Sequence, residues 1–353
     1  MFPTARVRTP TEHTARDPIA SARVSAESFA GRTMLVTGAQ GFVGSWLTER
    51  LLDAGATVVA LRRDTEPESR FWTEGLEQRV VVAQADVLDY EAMLRVLNEH
   101  SVTTIFHLAA QTIVGTANRS PLSTFETNVR GTWLLLEAAR SVGVVGDPVQ
   151  AVVVASSDKA YGDHEQLPYS ESFALQPRFP YDTSKACADL VARSYAETYE
   201  MPVAVTRLAN VYGGGDMNWT RIVPGTARSL VAGERPVIRT DGTPERDYVH
   251  VDDAVDAYLA VAASLERPEL RGRAWNAGSG TAVSARELVD RLIGVSGREL
   301  EPDVQGAGNP HGEIHRQYLD STQIREELGW EPQRSLDDGL AASWKWYQRW
   351  LAG

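Results

Sequence analysis

The stretch Thr33-Met34-Leu35-Val36-Thr37-Gly38-Ala39-Gln40-Gly41-Phe42-Val43-Gly44 decides the fold. Met34-Leu35-Val36 is a short apolar run closed by a glycine turn, and Phe42–Ala54 has helical spacing. A buried strand that feeds a helix through glycines is the first unit of a parallel sheet wrapped on both faces. The glycines follow G-x-x-G-x-x-G rather than the stricter G-x-G-x-x-G. In a strand-to-helix turn, glycines let backbone N–H groups approach a dinucleotide pyrophosphate, and the helix N-terminus adds favourable partial charge. Gly38, Gln40, Gly41, Phe42, Val43 and Gly44 are therefore candidate cofactor contacts. A glycine-rich turn without a ligand is the competing reading.

Working outward, Thr57–Leu61, Val80–Ala83, Thr104–His107, Ala151–Ala155 and Pro202–Leu208 are further short apolar runs, separated by helical patterns over Tyr90–Glu99, Pro121–Val142 and Tyr181–Tyr199. This alternation predicts an α/β fold, a Rossmann-type doubly wound parallel sheet over residues 31–210. After Asn210 the rhythm breaks at Gly213-Gly214-Gly215, and shorter elements follow: helices Val223–Ala232, Val251–Ser264 and Ser284–Leu292, strands Pro236–Ile238 and Ala274–Ala277, and a terminal helix Leu336–Trp350. They predict a smaller mixed α/β region over 211–353 whose elements can interleave with the first. Ser284 with Glu287 reads as a capping box. Leu340, Trp344 and Tyr347 share one stripe and read as core. Residues 1–30 carry Pro3, Pro10 and Pro18 without apolar periodicity and are expected to lie outside the core as a flexible extension.

The second strand leads to Arg62-Arg63-Asp64, where an acid suits a ribose 2′-OH and an arginine a 2′-phosphate. The paired arginines lean toward NADP; Asp64 keeps NAD open. Asp86, with Val87 beside it, follows the third strand and is a candidate for the adenine amino group or, alternatively, a helix N-cap. Hydrophobic residues make up 43% and charged residues 23% of 353, and the net charge is −12. That acidity argues against a nucleic-acid binder, which needs a basic face. With no apolar run of roughly 18 residues, a single cysteine (Cys187) and no secretion signal, a soluble cytoplasmic protein is expected, without a membrane partner.

Tyr181-Asp182-Thr183-Ser184-Lys185 sets a phenol and an amine four residues apart, on one face of a helix. A tyrosine serves as a base near neutrality only if its pKa falls, which a nearby ammonium favours. Ser156-Ser157 closes the strand Ala151–Ala155, at the strand end where such sheets hold their sites. Ser157 can hydrogen-bond a hydroxyl that Tyr181 deprotonates, or simply cap a turn.

From these residues the chain resembles the extended short-chain dehydrogenase/reductase family, over roughly Thr33 to Trp346. The matching pieces are the glycine turn, His107-Leu108-Ala109-Ala110-Gln111, Asn128-Val129-Arg130-Gly131-Thr132, Ser157, Tyr181 with Lys185, Arg207–Gly213 and Arg246–Asp253. Ser156-Ser157-Asp158-Lys159-Ala160-Tyr161, Gly213-Gly214-Gly215-Asp216 and His311-Gly312-Glu313-Ile314 are most similar to CDP-glucose 4,6-dehydratases, with GDP-mannose 4,6-dehydratases second. The resemblance implies a nicotinamide cofactor touching Leu108, Ala109, Ala110 and Gln111, a sugar-nucleotide substrate, no metal, and a homodimer through the helices Pro121–Val142 and Tyr181–Tyr199. It implies a 4,6-dehydration in which Tyr181 and Lys185 serve C4 oxidation while Asp158 and Lys159 serve as acid and base. Asn210, Arg221 and Arg246 become candidates for the diphosphate, since arginine matches phosphate geometry; surface salt bridges are the alternative. A 4-epimerase would need Tyr181, Lys185 and Ser157 but not Asp158 or Lys159. A non-catalytic cofactor-binding sensor would have no use for Tyr181, Lys185 and Ser157 together. His311, Glu313 and His315 are read as no metal site, because Pro310 and Gly312 break the platform. His107 is read as packing, and Cys187 as buried and inert.

Overall fold

The computed structural model describes residues 26–145, 148–306 and 314–352. The expectations for residues 1–25 and for His311, Gly312 and Glu313 lie outside the described residues. The strands are β1 (Thr33–Thr37), β2 (Thr57–Arg62), β3 (Val81–Gln84), β4 (Thr104–His107), β5 (Ala151–Ala155), β6 (Val203–Leu208), β7 (Asn210–Tyr212), β8 (Val237–Ile238), β9 (Glu245–His250), β10 (Ala274–Ala277), β11 (Ala282–Ser284), β12 (Asp303–Val304) and β13 (Arg316–Gln317). The helices are α1 (Phe42–Asp53), α2 (Arg70–Thr73), α3 (Tyr90–Glu99), α4 (Val114–Arg119), α5 (Pro121–Phe125), α6 (Gly131–Val145), α7 (Pro180–Tyr199), α8 (Ile222–Ala232), α9 (Val251–Ser264), α10 (Ala285–Ser296), α11 (Thr322–Leu328) and α12 (Leu336–Ala352).

Seven strands form one sheet in the order β10-β6-β5-β4-β1-β2-β3, every pairing parallel. This is the doubly wound order with a seventh strand added at the β6 edge. Alternation along the strands divides the core between the two faces. Met34, Val36, Phe106 and Val153 pack on one side with Leu47 and Leu51 of α1 and Ala257 and Val261 of α9. Leu35, Ile105, Val152, Val154 and Val203 pack on the other with Met93 of α3, Leu135 of α6 and Ala192 of α7. The C-terminal elements interleave with this sheet: β10 pairs with β6, and α9 packs on β5 and β6. A third apolar cluster, with Leu230, Leu292, Leu340, Trp344 and Tyr347, joins α8, α10 and α12. Ser284 caps α10 as read, its Oγ accepting from Glu287 N at 3.1 Å, while the Glu287 carboxylate turns to Arg291.

Three readings need correction. Pro121–Val142 is helical throughout but not uniformly α: α5 and α6 run on through a π-helical turn over Glu126–Arg130. Apolar spacing cannot register one inserted residue, and such turns occur mostly at functional sites. The extension is not all outside the core either. Ala26–Phe29 forms a 3₁₀ turn, and the Phe29 ring is buried with Met34 and Leu47. Cys187 is half-buried rather than buried. Among the described residues no helix is long and apolar enough to cross a membrane.

Candidate functional site

One cleft of about 810 Å³ opens at the carboxyl ends of the sheet strands, lined by residues that follow β1, β2, β3, β4, β5 and β6 in turn. This is the side of an open parallel sheet where ligands sit. It has two arms.

The first arm is made largely of backbone. Gly41 N donates to Gly38 O at 2.9 Å, which folds the turn so that the first N–H groups of α1 face the cleft. Those groups have no partner inside their own helix. Gly38 sits at φ +74°, and a Cβ there would lie 2.9 Å from Ala109 N; a Cβ on Gly44 would lie 2.0 Å from Gly38 O. The turn therefore accepts no side chain at either position, and it presents bare backbone as a pyrophosphate requires. His107 anchors it from below, sharing hydrogen bonds with Thr37 Oγ1 at 2.8 Å and Thr132 Oγ1 at 3.0 Å. Burial, helped by the charge on Lys185, pushes the His107 pKa down to about 3. The ring is thus neutral, one nitrogen donating and one accepting. The π-helical turn serves the same arm. Asn128, turned inward, takes a hydrogen bond from Gln111 N at 2.7 Å and donates to Gln111 O at 3.0 Å and Ser184 Oγ at 2.9 Å. The loop after β4 is thereby tied to α7.

Gly38, Gln40, Gly41, Phe42, Val43, Gly44, Arg63, Asp64, Asp86, Val87 and Leu108 through Gln111 all line the cleft. Arg62 does not; its Nε donates to Gln84 Oε1 at 2.8 Å and its guanidinium lies over the Trp72 ring. Successive residues of a strand point to opposite faces, so two adjacent arginines cannot share one pocket by the same route. Arg63 reaches the cleft but is paired with Asp64 at 2.6 Å. Asp86 accepts from Leu88 N at 2.9 Å, and the N-cap of α3 is Asp89 instead.

The second arm is made of side chains. Tyr181 and Lys185 lie one turn apart on α7, and both line the cleft. Lys185 Nζ donates to Ala155 O at 2.8 Å. Burial lowers its pKa to about 8, so it still carries its charge at neutrality. Burial pushes the Tyr181 phenol up to about 12, with Asp158 and Asp182 acting in the same direction. The strongest opposing influence is the Arg221 guanidinium, followed by a hydrogen bond with Ser157. The ammonium expected to favour the phenolate is directed at a carbonyl instead, and the arginine acts in its stead. Ser157 caps a 3₁₀ turn over Asp158–Tyr161, accepting from Lys159 N at 3.2 Å and donating to Asp158 Oδ1 at 2.9 Å. Asp158 is 2% exposed, and its Oδ2 has no hydrogen-bond partner. Burial raises its pKa against the charges of Lys159 and Arg246 and the Ser157 hydrogen bond. Burial thus makes this carboxyl hold its proton more tightly than an exposed one would.

Asn210 and Arg221 line the cleft; Arg246 does not. Arg246 donates from Nη1 to Glu245 O at 2.8 Å and His315 O at 3.2 Å, on a strand whose side chains reach the acid only electrostatically. Arg221 pairs with Asp216 at 3.0 Å. Among the lining residues that went unread in the sequence, Asp216 and Tyr258 are polar groups facing the side-chain arm. Asp216 stood within the glycine run without a role, and Tyr258 faces the cleft from α9, an apolar helix that carries no local signal for a site.

A family model described as GDP-mannose 4,6 dehydratase matches residues 35–342. The chain is 32% identical to CDP-glucose 4,6-dehydratase of Salmonella typhimurium, over 92% of this chain and 92% of that protein. It is 34% identical to UDP-glucose 4-epimerase of Mycolicibacterium smegmatis, over 89% and 98% respectively. The crystal structure of a dTDP-glucose 4,6-dehydratase from Streptomyces venezuelae with NAD bound is similar at a TM-score of 0.80 and 32% identity, covering 90% of this chain and 97% of that one.

Proposed function

The chain belongs to the GDP-mannose 4,6-dehydratase family, and from that premise we propose that it is an NDP-sugar 4,6-dehydratase, converting an NDP-hexose to the NDP-4-keto-6-deoxyhexose and water. The observation that carries the reading is Asp158, a buried carboxyl with one oxygen unpartnered, in the same cleft as Tyr181 and Lys185. An epimerase, which has no water to expel, needs no such acid. CDP-glucose is the first substrate to try, given the relative from Salmonella typhimurium.

The glycine turn fits a nicotinamide dinucleotide, because its two closest approaches leave no room for a Cβ. Gly38 through Gly44 would hold the pyrophosphate, Asp64 the ribose, Asp86 and Val87 the adenine, and Leu108 through Gln111 the inner face. NAD suits this arm better than NADP. Arg62 is engaged with Gln84, and the Arg63 charge is already met by Asp64. A nicotinamide held there would supply the acceptor for the C4 hydride and the hydride for C6.

The protein's own groups handle the protons. Tyr181 takes the 4-OH proton, with Ser157 orienting the hydroxyl and the charge of Arg221 favouring phenolate, while Lys185, held at Ala155 O, faces the cleft beside it. The resulting ketone acidifies the C5 proton. Lys159 removes it and, its ammonium protons exchanging with solvent, later protonates C5, while Asp158 protonates the departing 6-hydroxyl, which leaves as water. Tyr181 then gives up the 4-OH proton and Asp158 regains one through solvent. For Lys159 to act as base it must shed its own proton, which burial or nearby positive charge favours. The residues after 210 serve the nucleotide end, with Asn210 and Arg221 on the diphosphate. Arg246 supports Asp158 from outside the lining.

A homodimer goes with this reading. Leu122, Phe125 and Trp133 on one helical segment and Leu190 and Tyr199 on α7 are large apolar side chains left exposed. Incubation with CDP-glucose, dTDP-glucose, UDP-glucose and GDP-mannose tests the reaction. A 4-keto-6-deoxy product from one of them supports it; a product with its 6-hydroxyl intact overturns it in favour of a 4-epimerase.

A further inference from the structure

Arg207 on β6 is 1% exposed, and it grips Asp189 of α7, which is 0% exposed, through two hydrogen bonds of 2.8 and 3.0 Å. A buried ion pair is a poor source of stability, because desolvating both charges offsets most of their attraction. What this pair touches is more informative. Arg207 Nη1 also donates to the Tyr161 hydroxyl at 2.8 Å, and that hydroxyl donates onward to Asn276 Oδ1 on β10 at 2.7 Å. Burial, only partly opposed by Arg207, holds the Tyr161 pKa up at about 12, so the phenol keeps the proton it gives to Asn276. Asn276 in turn donates to Tyr169 O at 2.8 Å and Asp320 O at 3.1 Å.

The two ends of this chain carry the two halves of the site. Asp189 stands one turn beyond Lys185 and two beyond Tyr181, on the same face of α7. Tyr161 ends the 3₁₀ turn that begins with Asp158 and Lys159. The oxidation pair also has ties of its own: Lys185 Nζ to Ala155 O, Ser156 Oγ to Lys185 O at 3.3 Å, and Ser184 to Asn128. Tyr169 holds the backbone beyond the turn at Gly162 O. Ser157, at the head of the turn, hydrogen-bonds Tyr181, and the tail of the turn is linked to α7 through Tyr161 and Arg207.

We propose that Asp189, Arg207 and Tyr161 are positioning residues, a buried brace that sets the Asp158/Lys159 turn against the Tyr181/Lys185 face and so governs water loss rather than C4 oxidation. The proposal rests on the dehydratase reading. None of the three lines the cleft. Their effect would pass through Asp158 and Lys159, which must meet a substrate already fixed by the oxidation pair.

The test is Tyr161→Phe, which removes one oxygen and keeps the ring. Misplacing a reacting group by about 1 Å can cost on the order of a hundredfold, so a fall in kcat between about tenfold and a hundredfold is expected. KM should stay within about twofold, since the groups that bind substrate do not move. Solvent deuterium entry at C5 should slow in step with kcat. Single-turnover formation of reduced cofactor should keep its rate, and the reduced form should persist longer. A folded variant with unchanged partition between oxidation and water loss overturns the brace, as does an equal loss in both. If Tyr161→Phe does not accumulate as folded protein, Asp189→Asn carries the same test, leaving Arg207 a neutral acceptor in place of the charge. Unchanged partition there overturns the proposal equally. Wild-type enzyme, assayed in parallel with the four sugar nucleotides, separates the two questions: no 4-keto product from any of them brings down the dehydratase reading, independently of what the variants do.

Discussion

The two arms of the cleft are built from different materials. The cofactor arm is built around the backbone of Thr33–Gly44, the space that two glycines leave open and the loop that touches them, with Asp64, Asp86 and Val87 lining the cleft beside them. On the substrate arm they are side chains from α7, the turn after β5, β7 and the flank of α8, brought together only by folding. A site made of backbone tolerates side-chain change but not an added atom. A site made of side chains fails one residue at a time. Substitutions on the two arms should therefore differ in kind, and that contrast can be broken or sharpened by experiment.

The largest effect is expected at Tyr181. Tyr181→Phe removes the proton acceptor for the 4-hydroxyl, and general-base contributions run to about 10²–10⁴-fold, so kcat should fall on the order of a thousandfold while cofactor affinity changes little. Retention of more than about a tenth of wild-type kcat would disconnect the phenol from the chemistry. Next comes Lys159→Met. It should abolish C5 solvent deuterium exchange, lower dehydration by about a hundredfold or more, and spare C4 oxidation. Equal loss of both steps would remove Lys159 from the role of base.

How much of this contrast could be read in advance follows from the same division. The cofactor arm was legible because its signal is local: a strand, three glycines and a helix adjoin in sequence, and their spacing implies their geometry. Arg62 was misread because sequence adjacency looked like spatial adjacency, whereas a strand turns its neighbours apart. The substrate arm was legible where a motif was short, as in Tyr181–Lys185 and Ser157–Lys159. It was illegible where the partner came from elsewhere. Nothing near Arg221 in the sequence says that its charge is the one that most favours a Tyr181 phenolate, forty residues earlier. Nothing near Arg246 says that its strand keeps it off the cleft wall. The seven-stranded sheet and its helices followed from apolar periodicity, but the strands β7, β9, β11 and β13 did not, β9 being mostly polar and the others too short to carry a period. Neither did the π-helical turn over Glu126–Arg130 that brought Asn128 inward.

Back on the cofactor arm, Gly44→Ala is the substitution that adds an atom. Its Cβ would meet Gly38 O at 2.0 Å, so the turn must open. Overpacking of this kind costs about 1–3 kcal/mol, and a cofactor titration together with a melting curve should register both the lost affinity and the lost stability. Unchanged affinity would mean that the backbone of this turn is not the pyrophosphate contact.

A subtler effect distinguishes the substrate arm's lysine. Burial holds the Lys185 pKa near 8, below its unfolded value near 10.4. Both states are protonated below pH 8, where the cost of the buried charge is fully present. Between about pH 8 and 10 the folded state releases its proton first, so this group makes stability rise with pH. Nucleotide-free wild type should therefore gain melting temperature over that window relative to Lys185→Met. The protein has three lysines, Lys159, Lys185 and Lys345, so reductive methylation with a ¹³C label followed by NMR titration can read each amine separately. A Lys185 resonance titrating near 10 would contradict the burial argument.

The smallest effect is expected at Arg63, and it carries the most direct test of the cofactor arm's character. Arg63 and Asp64 form an exposed pair, with side chains 58% and 64% accessible, and such pairs contribute about 0–1 kcal/mol. If the arm works through backbone, and the ribose acid is Asp64, then Arg63→Ala should shift NAD affinity by less than about fivefold, in whichever direction the freed carboxylate dictates. NADP would gain nothing from the loss of an arginine whose charge was already met. If NADP affinity instead falls tenfold or more while NAD affinity holds, Arg63 leaves Asp64 to meet a 2′-phosphate, and the cofactor arm depends on a side chain after all.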